Sequence, residues 1–329
     1  MTIHFASIFV PASECFLERE ITLNVLCVGE ILWDVFANKE ILGGAPLNFS
    51  VSALRLGNTV ALMSAVGDDP RGHSALAAIR EWGISTELVQ QTRHRSTGAA
   101  IVSTDTSGNA SFVINRPAAF DSVALSDSDL SKIRDFRADW IYFGTLAHTT
   151  PEAEERLDRL LEANPAASCF YDINLREGHW NLALVQRLSR HATIIKLNDS
   201  EAETLYGLSN RPNPYSIEAF CRYWVSTFGG EVICVTLGAN GCAVWIDETL
   251  HMFPGFSIKV VDTVGAGDAF AAAFLHGYQN RLPIDVLARN ANALGAVVAS
   301  CAGATPDWTS EKCQQMLHSL AGSTARTLS

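Results

Sequence analysis

The sequence predicts an α/β fold in which helices cover a mostly parallel sheet. Two observations support this prediction: short apolar runs typical of buried strands recur along the chain, and amphipathic stretches lie between several of them. A third observation is that one region departs from this alternation and has the pattern of a hairpin. The predicted strands cover residues 23–28, 61–65, 140–143, 168–171, 193–197 and 232–236.

The stretches between the predicted strands have helical periodicity. Residues 75–82 and Pro151–Ala163 place their apolar side chains on one face, so we expect two of the covering helices there. At 329 residues the chain is long enough for one large α/β domain or for two smaller ones. We expect one domain over residues 21–329, preceded by an N-terminal extension over residues 1–20.

The region that departs from the alternation is a predicted antiparallel hairpin. Gly98–Thr104 and residues 110–115 flank the turn-forming sequence Thr106-Ser107-Gly108-Asn109. We expect this hairpin to lie outside the main sheet, as a lid. Its side chains either close over a ligand or form the hairpin's own core and edge. The candidate lid side chains are Phe112, Asn115, Arg116 and Phe120.

Composition and charge exclude several classes of function. The formal net charge of −11 argues against general nucleic-acid binding, which requires a basic surface. No run approaches about 18 uninterrupted apolar residues, so we expect no transmembrane helix and no membrane partner. The N-terminus lacks a basic start, and Pro11 interrupts its short apolar run, so we expect no signal peptide.

The cysteine pattern indicates a reducing compartment. Eight cysteines are scattered along the chain without a Cys-x-x-Cys pair. Cys27, Cys169 and Cys234 lie inside predicted strands, where a cysteine usually acts as a small buried apolar residue. Disulfide and metal use are therefore the minor alternatives, and we expect a cytoplasmic protein.

A glycine-rich turn late in the chain is the first candidate site. Residues 258–262 have the pattern of a strand, a turn follows, and Asp268 opens a helix. The glycines of the turn, Gly265 and Gly267, allow a ligand to approach the backbone, and the N–H groups of the helix's first turn favour an anion. Asp268 would repel that anion, but it suits a base that deprotonates a hydroxyl attacking phosphorus. The alternative is that Asp268 only stabilises the helix start.

The same turn does not match the common nucleotide-binding motifs. The sequence has no Gly-x4-Gly-Lys-Ser/Thr, which excludes a P-loop. Gly265-Ala266-Gly267 is not a dinucleotide fingerprint, because Phe270 occupies the place of the third glycine. The apolar stripe of the helix that follows is Phe270, Phe274 and Tyr278.

A pair of glycines early in the chain is the second candidate site. Gly43-Gly44-Ala45-Pro46-Leu47-Asn48 precedes a predicted helix that runs to about Leu56 and ends at Gly57. The predicted buried stripe of this helix is Leu47, Val51 and Leu54. Asn48 lies off that stripe beside bare glycine backbone, where its amide suits a polyhydroxylated ligand. The alternative is an asparagine that bonds to local backbone groups.

Together these two segments resemble the two signatures of the ribokinase-like (PfkB) carbohydrate kinase family, and the chain is closest to fructokinases. The resemblance covers residues 22–310 in the order and spacing of the family. It implies a three-layer αβα fold with a mostly parallel sheet and a small β-strand lid, built here from about residues 35–43 and 94–120. It also implies that Asp268 is the catalytic base and that Gly265, Ala266 and Gly267 form the anion hole for the transferred phosphoryl group.

The resemblance implies a set of sugar-binding residues. They are Asp34, which we expect at the end of the first strand of the main sheet, Gly43, Gly44, Asn48 and Arg176. The segment Asp172-Ile173-Asn174-Leu175-Arg176 resembles an element of fructokinases and of 2-keto-3-deoxygluconate kinases. Arg176 would bind a sugar oxygen in the first case, with its charge partly balanced by Asp34 or Asp172. In the second case it would bind a substrate carboxylate, and Arg116 could add a second cation.

The resemblance also implies a nucleotide side. The nucleotide-binding residues would be Lys196, Thr236, Gly238, Gly265, Gly267 and Asn292. Asn198 and Glu201 would lie near Mg²⁺ and bind it through water, although the same pair is the pattern of a helix capping box. A monovalent cation such as K⁺ would lie near Asp262, Val264 and the loop from Ala302 to Ala304.

These expectations describe an ATP-dependent sugar kinase. D-fructose is the expected substrate, ATP and Mg²⁺ are the expected cofactors, and a homodimer is compatible with the family. Two alternatives stay open at this point. One is a 2-keto-3-deoxygluconate kinase, and the other is a binding or regulatory protein that kept the fold without the chemistry.

Overall fold

The computed structural model of the chain describes residues 21–104 and 110–324. The predicted N-terminal extension, the predicted turn at residues 106–109 and the side chain of Phe112 lie outside the described residues. The strands are β1 (Asn24–Val28), β2 (Leu32–Val35), β3 (Glu40–Gly43), β4 (Thr59–Gly67), β5 (Val89–Thr92), β6 (Gly98–Thr104), β7 (Ala110–Ile114), β8 (Trp140–Gly144), β9 (Ser168–Asp172), β10 (Ile194–Asn198), β11 (Val232–Thr236), β12 (Cys242–Ile246) and β13 (Thr249–Phe253). The helices are α1 (Ala45–Arg55), α2 (Pro70–Glu81), α3 (Asp127–Phe136), α4 (Pro151–Ala163), α5 (Leu182–Ser189), α6 (Asp199–Leu208), α7 (Ile217–Phe228), α8 (Ala266–Gln279), α9 (Ile284–Ala299) and α10 (Ser310–Thr324).

The main sheet has nine strands in the order β13-β12-β11-β10-β9-β8-β1-β4-β5. Its strands from β11 to β5 are parallel, while β12 and β13 extend it as antiparallel strands. The chain moves outward from β1 in both directions, so the strand order reverses between β1 and β8. Ligands of open α/β sheets bind at such a reversal, beyond the carboxyl ends of the strands.

Two apolar cores lie on the two faces of this sheet. Val25 and Cys27 of β1 pack in one core with α1, α2, α8 and α9, whereas Leu26 and Val28 pack in the other with α4, α5 and α7. This alternation follows from the two-residue period of a strand. The three-layer arrangement is therefore confirmed, and all six predicted strands of the main sheet are present.

The predicted hairpin is present as β6 and β7, outside the main sheet. It belongs to a second sheet of four strands in the order β3-β2-β6-β7. Asp34 lies in β2 of this small sheet, so our expectation that it ends the first strand of the main sheet was wrong. A small apolar cluster underlies the second sheet, formed by Leu32, Ala100, Ile114, Ala118, Phe120 and Leu146.

The strand predicted at residues 258–262 is absent. The segment has no regular secondary structure, and Val260 and Val261 are 55% and 56% exposed. The backbone N–H of Val261 donates to the Ala299 carbonyl at the end of α9, at 2.9 Å. Its β-branched residues matched a strand pattern, but a strand also needs a neighbouring sheet edge to pair with, and this segment crosses a helix end instead.

The environment of α1 also differs from the expectation. We predicted one buried stripe on this helix, but every residue from Ala45 to Ala53 is buried, because α1 lies between the sheet and α8. Asn48 is only 4% exposed. The buried cysteines behave as expected, and the seven cysteines within the described ranges are all free. None of the described helices is long and apolar enough to cross a membrane.

Candidate active site

A cleft of about 270 Å³ lies between the carboxyl edge of the main sheet and the small sheet. Asp34 and Ala100 line it from the small sheet, and Asp268 lines it from α8. Of the sequence-predicted sugar residues, Asp34, Gly44, Asn48 and Arg176 line this one cleft. Residues that are up to 234 positions apart in the chain therefore meet where the fold predicts a ligand.

Asp268 lies at the start of α8, which begins at Ala266 after Gly265 in a left-handed conformation (φ 80°). Its side chain is 8% exposed, and its Oδ2 accepts a hydrogen bond from Asn48 Nδ2 at 2.8 Å. Burial and the nearby Asp172 carboxylate raise the pKa of Asp268 to about 6, while Lys196, Asn48 and Arg176 act in the opposite direction. Asp268 is therefore ionised at neutral pH but is basic enough to accept a proton.

The glycines of the late turn allow two close approaches. A Cβ on Gly265 would lie 2.0 Å from the Ala304 carbonyl oxygen, so this position requires glycine. A Cβ on Gly267 would lie 3.2 Å from Lys196 Nζ. The Ala266 N–H donates to the Thr263 carbonyl at 3.3 Å, whereas the N–H groups of Gly267 and Asp268 belong to the first turn of α8, where no intrahelical acceptor is available. An anion at this helix start therefore meets backbone donors with an ammonium group close by.

Lys196 is held by a buried network beneath this turn. Its Nζ donates to both oxygens of Asp172, at 3.0 and 2.9 Å, and the Tyr142 hydroxyl donates to Asp172 Oδ2 at 3.0 Å. Burial alone would lower the pKa of Lys196, but Asp172 and Asp268 outweigh it and raise the pKa above its ordinary value. Lys196 is therefore cationic, with its position set by Asp172.

The early glycines make room for the Asp34 carboxylate and for the backbone carbonyl of Glu30. A Cβ on Gly43 would lie 3.0 Å from Asp34 Oδ2, and a Cβ on Gly44 would lie 2.3 Å from the carbonyl oxygen of Glu30. Asp34 is 6% exposed, and burial raises its pKa to about 6, although the Arg176 charge opposes this shift. The early motif thus shapes one wall of the cleft around acidic groups.

Glu30 and Asn174 line the same cleft, and sequence reasoning did not single them out. Glu30 Oε1 accepts from the Ala45 N–H at 3.2 Å, and burial raises the pKa of Glu30 to about 7. Its Oε2 is buried without a hydrogen-bond partner in the part of the chain that the structure describes. Asn174 has a left-handed backbone (φ 41°), which is uncommon for a residue other than glycine. Both residues closely follow a strand of the main sheet, and Asn174 also lies inside the 172–176 motif; this placement was the signal in the sequence.

Arg176 lies close enough to the carboxylates of Glu30, Asp34 and Asp268 for its charge to lower the pKa of each. Asp172, which we had considered as its partner, binds Lys196 instead. The positive charge of Arg176 therefore acts on three acidic groups of the cleft.

The predicted lid side chains occupy different positions. Arg116 forms an ion pair with Asp121, and its guanidinium lies 5.4 Å from the centroid of the Phe120 ring. Phe120 is 1% exposed within the core of the small sheet, and Asn115 is exposed. Of the two alternatives, the described members of this set form the core and edge of the small sheet. Among the described residues of the hairpin, Ala100 and Ile114 line the cleft.

A shallower groove of about 500 Å³ adjoins the cleft at Asn198 and Thr236. It includes Gly238, which has a left-handed backbone (φ 58°). Apart from its chain neighbours, no described atom lies within 4 Å of the place that a Cβ would take on this residue. Asn292 is not among the residues that line the groove, and its Nδ2 donates to the Pro254 carbonyl at 3.2 Å. The full lining of the groove is Asn198, Asp199, Ser200, Ile217, Thr236, Leu237, Gly238 and Asn240.

Asn198 and Glu201 form a capping box at the start of α6. Glu201 N–H donates to Asn198 Oδ1 at 2.9 Å, and Asn198 N–H donates to Glu201 Oε2 at 2.8 Å. No cluster of three potential protein ligands for a metal occurs in the described ranges. A Mg²⁺ ion near Asn198 and Glu201 would therefore need phosphate oxygens and water to complete its shell, which suits its slow dehydration.

The residues expected near a monovalent cation lie together, where Asp262 links two loops. Its Oδ1 accepts from the Val264 N–H at 3.1 Å, and its Oδ2 accepts from the Gly303 N–H at 3.3 Å. Ala304 belongs to the second loop and contacts Gly265, as described above. Asp262 thus ties the 302–304 loop to the turn that precedes α8.

Comparisons with known proteins agree with this geometry. The family model described as pfkB family carbohydrate kinase matches residues 18–311. Fructokinase-1 of Oryza sativa subsp. japonica is 28% identical over 283 residues, which cover 82% of this chain and 85% of that protein. Aminoimidazole riboside kinase of Salmonella typhimurium is 28% identical over 278 residues, which cover 80% of this chain and 83% of that protein.

A solved structure shows the same fold. It is a double mutant of fructokinase from Vibrio cholerae O395 in a form with fructose, ADP and potassium ion bound. Its TM-score with this chain is 0.77 at 22% identity, and the match covers 91% of this chain and 100% of that one. The likeness confirms the ribokinase-like α/β fold, and the family model spans most of the sequence. The chain therefore belongs to the pfkB family of carbohydrate kinases.

Proposed function

We propose that this protein transfers the γ-phosphoryl group of ATP to a primary hydroxyl of D-fructose. The observation that carries the proposal is the position of Asp268. It is a buried carboxylate at the glycine-lined start of a helix, held by Asn48, in a cleft that opens into the adjoining groove. The sugar lies in the cleft and the nucleotide lies along the groove.

Asp268 is the general base of this reaction. It takes the proton of the primary hydroxyl as the hydroxyl oxygen forms its new bond to the γ-phosphorus, while the bond from that phosphorus to the bridging oxygen breaks and ADP leaves. Asn48 Nδ2 fixes the carboxylate through Oδ2. The first-turn N–H groups of Gly267 and Asp268 stabilise the negative charge that spreads over the transferred phosphoryl oxygens, and Lys196 adds a positive charge beneath them. The small sheet acts as the lid that excludes water.

The site fits ATP and Mg²⁺. The helix start with its two glycines and the Lys196 ammonium provides an anion site, and the adjoining groove provides space for the rest of a nucleotide. Bound Mg²⁺ would supply positive charge to the phosphates, with Asn198 and Glu201 contacting its waters. K⁺ remains part of the proposal near Asp262, on the basis of the resemblance. A cytoplasmic location suits the free cysteines.

Charge favours a neutral sugar over a sugar acid. A substrate carboxylate would need a cation that the protein leaves for it. Lys196 is bound by Asp172, Arg116 is bound by Asp121, and the charge of Arg176 is opposed by three nearby carboxylates. The fructokinase relative from Oryza sativa supports fructose, while the riboside kinase relative shows that family membership alone does not select the sugar.

A coupled assay of ADP release tests the proposal. Wild-type protein with ATP, Mg²⁺ and K⁺ is given D-fructose, 2-keto-3-deoxygluconate, ribose, glucose or adenosine. We expect the highest kcat/KM with D-fructose. Turnover of the keto acid without turnover of fructose would replace fructose by the sugar acid, and no turnover of any sugar would favour a binding protein.

A further inference from the structure

Glu201 contacts two different parts of the molecule, and the capping box accounts for only one of them. Its Oε2 accepts from the Asn198 N–H at the start of α6, beside the groove. Its Oε1 accepts from the Leu175 N–H at 2.7 Å, in the turn after β9. One carboxylate therefore joins the groove side of the site to the turn that carries Arg176.

The turn after β9 depends on a few hydrogen bonds. At its start, the Ile173 N–H donates to the Lys196 carbonyl at 2.9 Å, and Thr145 Oγ1 donates to the Ile173 carbonyl at 2.6 Å. Asn174 then bends the chain through a left-handed conformation (φ 41°). Leu175 follows, and its bond to Glu201 holds the end of the bend from which the Arg176 side chain enters the cleft.

We propose that Glu201 is a positioning residue for sugar binding, because its bond to the Leu175 N–H holds the Asn174–Arg176 turn in the sugar cleft. This inference rests on the proposed function for the identity of the ligand that Arg176 meets. It adds to the expected role of Glu201 near Mg²⁺. Each carboxylate oxygen carries two lone pairs, so one carboxylate can accept both N–H groups and still contact a metal-bound water.

The chain itself suggests the discriminating variant. At the start of α3, Asp129 completes a capping box with Ser126, so an aspartate at this helix position can cap as well as a glutamate. E201D therefore keeps the negative charge and the bond to Asn198. It lacks one methylene group, so it cannot also reach the Leu175 N–H. A role confined to capping and Mg²⁺ predicts no change in fructose affinity and no change in the exchange of the Leu175 amide in this variant.

The first measurement is calorimetric binding of D-fructose without nucleotide or Mg²⁺. We expect E201D to bind about tenfold more weakly than wild type, because a charge-assisted hydrogen bond that positions the turn is lost. The loss of fructose affinity should exceed any change in KM for ATP or in the half-saturating Mg²⁺ concentration. The matched control is D129A, which removes a capping box far from the cleft and should leave fructose affinity as in wild type.

The second measurement does not depend on the sugar. Amide hydrogen exchange of E201D should be faster at Leu175, by about tenfold, and unchanged at Asn198. If wild type does not bind fructose, the proposed substrate fails, and the exchange at Leu175 still decides the inference. Wild-type exchange at Leu175 together with a raised Mg²⁺ requirement in E201D would overturn it.

A second variant covers the case in which E201D does not fold. The Leu175 and Asn198 N–H groups meet different oxygens of Glu201, and E201Q replaces one of these oxygens by an NH₂ group, so one N–H group would face a donor. Loss of exchange protection at either amide is the expected result. Full protection at both amides would contradict the inference that the Glu201 carboxylate accepts one hydrogen bond from each of them.

Discussion

Asp172→Asn tests whether a buried ion pair positions Lys196. Asp172 is fully buried and accepts two hydrogen bonds from Lys196 and one from Tyr142. Asparagine has nearly the same shape, but it removes the negative charge and turns one acceptor into a donor that faces the Lys196 ammonium. The variant therefore leaves a buried cation without its counter-charge.

The expected loss of stability is large. Removing one partner of a buried pair destabilises by about 3–5 kcal/mol, because the remaining charge stays desolvated. A domain of this size loses roughly 2 °C in Tm per kcal/mol, so we expect Tm to fall by about 6–10 °C. Thermal unfolding followed by circular dichroism measures this change. The control is Glu218→Gln, which breaks the exposed pair with Arg222 and should cost less than about 0.5 kcal/mol.

The same variant should shift the pH dependence of activity. The Asp172 charge raises the pKa of Asp268, so its removal should lower that pKa, and the acidic limb of kcat/KM should move to lower pH. A Tm within about 2 °C of the Glu218→Gln control, measured at the same pH, would refute the argument that Lys196 depends on Asp172.

Three further predictions concern the catalytic cleft. Asp268→Asn should lower kcat by roughly 10²–10⁴-fold, which is the usual contribution of a general base. Its ATP affinity, measured by calorimetry, should stay near that of wild type. Turnover within a few-fold of wild type would remove Asp268 from the mechanism. In wild type, kcat/KM should fall as the pH drops through about 6, because only the ionised Asp268 carboxylate can act as the base. A kcat/KM that does not change from about pH 5 to 7 would contradict this assignment. Asp34→Ala should weaken fructose binding far more than ATP binding in calorimetry, because Asp34 lines the cleft and does not line the groove; the reverse pattern would place the sugar elsewhere.

Local patterns in the sequence determined most of the elements. The apolar runs predicted the main-sheet strands, the turn signal predicted the β6–β7 hairpin, and the glycines predicted the bend before α8. The capping box of Asn198 and Glu201 was also predictable, because its two members are three residues apart. Each of these features depends on side chains that are close together in the chain.

Contacts between distant segments could not be predicted in the same way. Asn48 binds Asp268 across 220 positions, Asp172 binds Lys196 instead of Arg176, and Glu201 reaches Leu175 of another strand-end turn. Such pairings depend on strand register and on how helices pack against the sheet, which set the distances between side chains.

The segment at residues 258–262 shows the same limit for secondary structure. Its β-branched residues satisfied the local pattern of a strand, but a strand forms only where a sheet edge can pair with it. The sequence by itself determined the fold class, the two glycine motifs and Asp268 as the candidate base. Only the tertiary structure decided which charges neutralise one another in the cleft, because burial and distance between remote residues control those pairings.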